Sequence, residues 1–146
     1  SYKYARRQWS LADNGFLKYS WLGEFDRAML DMVERNGVMR CGYAYNQLMD
    51  VGAKTMVYSH GKVLFVVNWH PSLSIPDYMV PVPDAGRYRI ILSTDDERFG
   101  GQGRNDMTLV HFSFPLTDKD GITKHYIKIY NICRTATVYK KLPEEV

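Results

Sequence analysis

The sequence predicts a mainly β protein with helices at its N-terminal end, its strands forming an antiparallel β-sandwich. Three observations carry that class. Apolar residues in the first part of the chain recur at Leu22, Phe25, Met29, Met32 and Val33, the stripe of an amphipathic helix. From about residue 53 the pattern changes to short β-rich stretches separated by turn signals, as in antiparallel sandwiches. Aromatic residues make up 14% of the 146, with 11 tyrosines, and aromatic rings pack well on a pleated surface.

Taken in order, residues 1–36 read as helical, with a shorter helical turn over 6–12. Asp13 or Asn14 would cap the start of the main helix, because a short side-chain oxygen accepts from its free N–H groups. Asn36-Gly37 would end it, since glycine readily takes the left-handed conformation of a helix terminus. Residues 38–53 read as a linker with some local structure, dividing a helical part (1–37) from a sandwich (54–146). Residues 55–58 form one β-rich stretch, and His60-Gly61 turns the chain. KVLFVVNW (62–69) is nearly all apolar, so this strand should be buried on both faces. RYRIILS (87–93) alternates, with Tyr88 and Ile90 facing one way and Arg87 and Arg89 the other. Further strands are expected over 108–114, 124–130 and 135–140, with turns at Pro83-Asp84-Ala85-Gly86 and Asp118-Lys119-Asp120-Gly121. No internal repeat is present.

The totals exclude several function classes. The length suits one domain, or one domain with an appendage. A net charge of +3 with scattered Lys and Arg is far from the basic stripe of a nucleic-acid binder, so no nucleic-acid partner is expected. No apolar run approaches the roughly 20 residues that span a bilayer, and no membrane partner is expected. Cys41 and Cys133 stand far apart with no CxxC and read as two reduced thiols of a cytoplasmic protein. No signal peptide opens the chain, and Ser1 rather than Met stands first, which suggests a piece of something longer.

The densest cluster of unusual residues is STDDERFGGQGRND (93–106). A phosphate-binding loop needs GxxxxGK and Ser or Thr before a helix. Here no lysine follows the glycines, and the next element reads as a strand. Asp95, Asp96 and Glu97 are consecutive, without the alternate spacing of a calcium loop. They also lack the separation of a paired acid and base. Gly100, Gly101 and Gly103 therefore read as a turn at a sheet edge.

Among His60, His70, His111 and His125 no two share a metal-ligand spacing, so no metal site is assigned, although one assembled only by folding stays open. No GxSxG occurs, and no cofactor is expected. Trp69 and Tyr78 would either stack on sugar rings or fill a β core, the second being the more ordinary role. Arg6-Arg7-Gln8-Trp9 would either contact a ligand or pin the helix to a neighbouring domain. On residue types alone the neighbour is favoured.

Several blocks, in order over nearly the whole chain, resemble one family. SYKYARRQWSLADN followed by LKYSWLGEFDRAM resembles the end of the catalytic barrel of 1,4-α-glucan branching enzymes, of the α-amylase superfamily. VLFVVNWHPSLSIPDYMV is similar to a family segment with FxFNFHP and a following DY. GRYRIILSTDDERFGGQGR resembles the family's GKYxxxLxSDxxxFGG, and RTATVYKK its closing RTAxVY strand. Trp69 departs from the family's usual phenylalanine, and the stretch from Val38 to Ala53 matches poorly.

The resemblance implies an α-amylase C-terminal-domain type of sandwich preceded by the last helices of a (β/α)8 barrel. It implies a parent enzyme that transfers α-1,4 glucan segments to 6-hydroxyls by a retaining double displacement. The partners implied are α-glucan (glycogen or starch), met through the parent enzyme, and the missing catalytic barrel. The family's catalytic motifs are not in this sequence, so no catalytic residue is assigned and the piece alone is expected to be inactive. Tyr2, Arg6, Arg7 and Trp9 match the segment after the last catalytic motif and are the expected substrate-proximal residues. The helical stripe should be covered by the sandwich or by a second copy. The alternative is a glucan-binding β-sandwich module. A free-standing interaction domain is the third reading.

Overall fold

The computed structural model describes residues 2–144. Three helices come first: α1 (Tyr2–Ala5), α2 (Trp9–Asp13) and α3 (Tyr19–Arg35). Nine strands follow among the described residues: β1 (Tyr45–Asp50), β2 (Thr55–His60), β3 (Val63–Asn68), β4 (Ile75–Val82), β5 (Arg87–Ser93), β6 (Val110–Phe112), β7 (Phe114–Thr117), β8 (Thr123–Asn131) and β9 (Thr135–Lys141). They make a six-stranded sheet, in the order β1-β2-β3-β9-β5-β6, and a three-stranded sheet, β4-β8-β7. Every pairing is antiparallel.

Alternation builds the space between the sheets. Val57, Leu64, Val66, Tyr88, Ile90 and Tyr139 face inward from the large sheet and meet Val80, Val82, Ile127 and Ile129 of the small one. Each such buried aliphatic side chain contributes roughly 1.5–3 kcal/mol. The outer face of the large sheet is covered by α3. Phe25, Ala28, Met29, Met32 and Val33 recur along one helix face and pack on Val63, Leu92 and Val138. The molecule is thus three layers deep, which is why β3 buries residues on both faces: Val63 toward the helix, Leu64 and Val66 toward the other sheet.

Several expectations need correction. α3 begins at Tyr19, not beside Asp13 or Asn14, and Lys18 precedes it without a side-chain cap. The Asn14 Oδ1 accepts from the Phe16 N–H at 3.0 Å and makes a turn between α2 and α3 instead. Leu22 is off the buried stripe, at 65% exposure. The end of α3 does fall at Asn36-Gly37: the Asn36 backbone N–H and its Nδ2 both donate to the Met32 carbonyl, and Gly37 has φ 61°. Part of the stretch read as linker is strand β1, an edge strand with no fully buried residue. β4 was not expected. Pro76 and Pro81 disguise it, but an edge strand tolerates prolines, and β4 is such an edge. The single strand expected over 108–114 is two, β6 and β7, in different sheets. The chain crosses at Ser113, whose N–H donates to the Gly86 carbonyl and whose Oγ accepts from the Gly86 N–H.

Candidate functional site

The 93–106 loop is built around one carboxylate. Asp95 is 4% exposed. It accepts from the Arg104 N–H at 2.7 Å, the Arg104 Nη2 at 2.8 Å and the Gln102 N–H at 3.4 Å. Burial pushes its carboxyl up, but the Arg104 guanidinium and the two N–H groups outweigh this and hold it below the usual aspartate value. With its lone pairs occupied, Asp95 has no role as a general base. Asp96 accepts from the Arg98 N–H at 2.9 Å, capping the short turn Glu97–Phe99. The loop is a structural turn.

That loop is also where α3 docks. The Trp21 indole lies so close to Gly100 that a Cβ there would overlap it. The Phe25 and Phe99 rings meet edge-to-face at 5.3 Å between centroids. Neither contact was expected from the sequence, although FGG beside a helix with aromatics at adjoining turns is the signal that could have shown it.

The expected substrate-proximal residues lie on α1, α2 and the turn between them. Arg6, Arg7 and Trp9 line one shallow hollow, together with Lys3 and Tyr4. The Arg7 guanidinium sits 4.2 Å from the centre of the Trp9 ring, a cation–π geometry. Tyr2 does not line the hollow and is 83% exposed. Every residue from 2 to 16 is exposed.

The two expected stacking aromatics differ. Trp69 is 58% exposed, in a turn after β3. That turn is held by Asn68, whose Nδ2 donates to the Leu73 and Asn131 carbonyls and whose Oδ1 accepts from the His70 N–H at 2.8 Å. His70 Nδ1 accepts in turn from the Ser72 and Leu73 N–H groups. Tyr78 is partly buried and packs against the inter-sheet core. Its hydroxyl donates to Asp50 Oδ2 at 2.8 Å. Burial, then the Asp50 carboxylate, push that phenol well above its ordinary value. The Asp50 carboxyl is held low, first by the Ala53 N–H and then by Tyr78.

The histidines serve separate structural contacts. His60 Nε2 lies 3.0 Å from the Gly42 carbonyl, and the His111 ring donates from Nδ1 to the Lys128 carbonyl at 2.8 Å. Among the described residues no three His, Cys, Asp or Glu side chains are grouped to hold a metal ion.

With this arrangement, the family model described as "Alpha amylase, C-terminal all-beta domain" matches residues 45–141, from the first residue of β1 to the last of β9. The chain belongs to that family. Its all-beta domain is the sandwich, with α3 laid on its larger sheet. Among curated relatives, the chain is similar to the 1,4-alpha-glucan-branching enzyme of Rhizophagus irregularis, 39% identical over 94% of this chain and 20% of the relative. The enzyme of that name from Saccharomyces cerevisiae is 38% identical over 94% of this chain and 19% of the relative. The one from Solanum tuberosum is 37% identical over 79% of this chain and 13% of the relative. The chain spans about a fifth of the length of the first two. No helix among the described residues is long and apolar enough to cross a membrane.

Proposed function

We propose that this chain is the C-terminal part of a cytoplasmic 1,4-α-glucan branching enzyme, acting in glycogen or starch formation, and that it supports a catalytic barrel supplied by the rest of the protein. The identity to branching enzymes over 94% of the chain, confined to a fifth of their length, carries this reading. In it, the helices up to Arg35 are the last helices of the barrel, the stretch between them and β1 is a connection, and the sandwich runs from β1 to β9. Asp95 and Asp96 do not serve as an acid–base pair in this reading, since Asp95 is locked by Arg104 and Asp96 caps a turn. Alone it is inactive. Arg6, Arg7 and Trp9, with Tyr2, form the face nearest the parent's bound glucan. α-Glucan is then a partner of the whole enzyme. The test is a branching assay on amylose, read by the fall of iodine absorbance, with this chain alone and joined to its upstream sequence. Activity in the joined protein only is expected. Activity in the short chain, or none in the joined one, overturns the reading.

A second reading, in which the sandwich itself holds glucan, rests on Trp69 and its ordered turn. Tyr78, its ring packed inward, adds little to it. Retardation of the chain in an amylose gel, lost in Trp69→Ala, is the outcome that would favour it. Unretarded, folded protein would sink it.

A further inference from the structure

Beside α3, the outer face of the six-stranded sheet is left to cations. Cross-strand register sets Arg89 of β5 directly opposite Lys140 of β9, and Lys140 opposite Val63 of β3. Lys62 immediately precedes Val63. Like charges placed directly opposite in a sheet repel. Among the described residues no carboxylate lies within ion-pair distance of Arg89, Lys140 or Lys62. These three cations, with Lys141, line one open groove of about 760 Å³. Apolar Ile91 forms part of its wall, and Asp84 and Glu144 line it from the β4–β5 turn and the chain after β9.

Charge and size together define what the groove takes. A repelling Arg–Lys pair calls for an anion able to use both cations at once. A phosphate monoester does so, with several oxygens for the guanidinium fork and the ammonium point charge. The volume lies in the range of small-molecule sites and leaves room for the group that carries the phosphate. Two carboxylates at the rim suit hydroxyl donors. We propose that this groove binds a phosphate monoester carried on a sugar. Arg89 and Lys140 hold the phosphate, the sugar's carbon face lies along Ile91, and its hydroxyls donate to Asp84 and Glu144. The phosphate half stands on the cations alone, whereas the choice of a sugar rests on the branching-enzyme reading.

The experiment is a titration of the chain with glucose 6-phosphate, glucose and inorganic phosphate at constant ionic strength, followed by calorimetry and by thermal midpoint. Glucose 6-phosphate is expected to bind and raise the midpoint, glucose to do neither, and inorganic phosphate to bind more weakly. Arg89→Gln and Lys140→Gln should each weaken glucose 6-phosphate binding about tenfold, as loss of one charge-assisted hydrogen bond requires. Each variant relieves the cross-strand repulsion, so its ligand-free midpoint should not fall, which separates lost binding from lost folding. Lys124→Gln removes the same charge from the other sheet and should change nothing. A phosphorylated malto-oligosaccharide that binds more tightly than glucose 6-phosphate assigns the phosphate to a glucan, and one that binds less tightly assigns it to a free hexose phosphate. No binding of glucose 6-phosphate, equal binding of inorganic phosphate, or unchanged binding in both groove variants overturns the proposal. None of these results touches the branching assay, which reads the longer protein.

Discussion

A methyl group at Gly101 would overlap the backbone carbonyl of Asp95, and backbone, unlike a side chain, cannot swing aside. Gly101→Ala is therefore expected to destabilise the chain by about 2–4 kcal/mol, read as a lower urea midpoint. Asp95 itself invites a pH test. Its folded carboxyl lies below the 3.8 of a free aspartate, so its stabilisation is complete above that value and is lost as pH falls through the folded one. Asp95→Asn should lower stability at neutral pH by about 2 kcal/mol, below the usual figure for a broken buried pair, because the Arg104 side chain retains 29% exposure. The same variant should lose less stability than the parent on acidification, measured by denaturant unfolding on either side of pH about 4. Little of this was legible in the sequence. DDERFGGQGR shows that the chain turns, but which carboxylate points inward depends on where β5 ends, and no spacing rule gives that.

At the scale of elements, α3 is held at two places: along its apolar stripe on the sheet, and at its first turns on the Phe99-Gly100 loop. Gly100→Ala would push the Trp21 ring away, and at φ 77° the new side chain is itself strained. Hydrogen exchange should then quicken over residues 19–25 while the sheets keep their protection. Equal loss across β3 and β9 would show that the helix and sandwich cannot separate. Periodicity made the middle of α3 and strand β5 readable in advance, Asn36-Gly37 the end of α3, an unbroken apolar run β3, and β-rich stretches between turn signals β8 and β9. Its start was not, because Asn14 caps a neighbouring turn and no capping residue marks Lys18. β1 hid because an edge strand need not alternate clearly, and β4 because prolines normally argue against a strand. Trp69 announced itself by type, but its exposure depends on the Asn68 bonds to Leu73 and Asn131, and Asn131 lies far along the chain.

For the whole molecule, the core is closed but the surface is not. Tyr2, Tyr4, Trp9, Phe16 and Leu22 stand open around the N-terminal helices, and Met49, Trp69, Phe112 and Ile122 on the sandwich. Such a surface rarely stays bare. The chain alone is expected to self-associate as its concentration rises, and its joined parent to remain discrete, by light scattering. Core tyrosines set the alkaline limit. Burial pushes the Tyr88 phenol up to about 12, and it also raises Tyr78 and Tyr139. The unfolded chain thus releases these protons first, and stability should fall as pH rises from about 10, the value of a free tyrosine, toward the folded values. Tyr88→Phe should blunt that fall, at some loss of neutral stability from the missing bond to the Asp84 carbonyl, both read from denaturant midpoints. The strand order also has a bearing on biosynthesis. β9 is the last of the described strands in sequence, yet it lies between β3 and β5 in the middle of the larger sheet. While the ribosome still holds that segment, β3 and β5 have no neighbour to join them, so the apolar strands stay unsheltered until β9 itself has emerged.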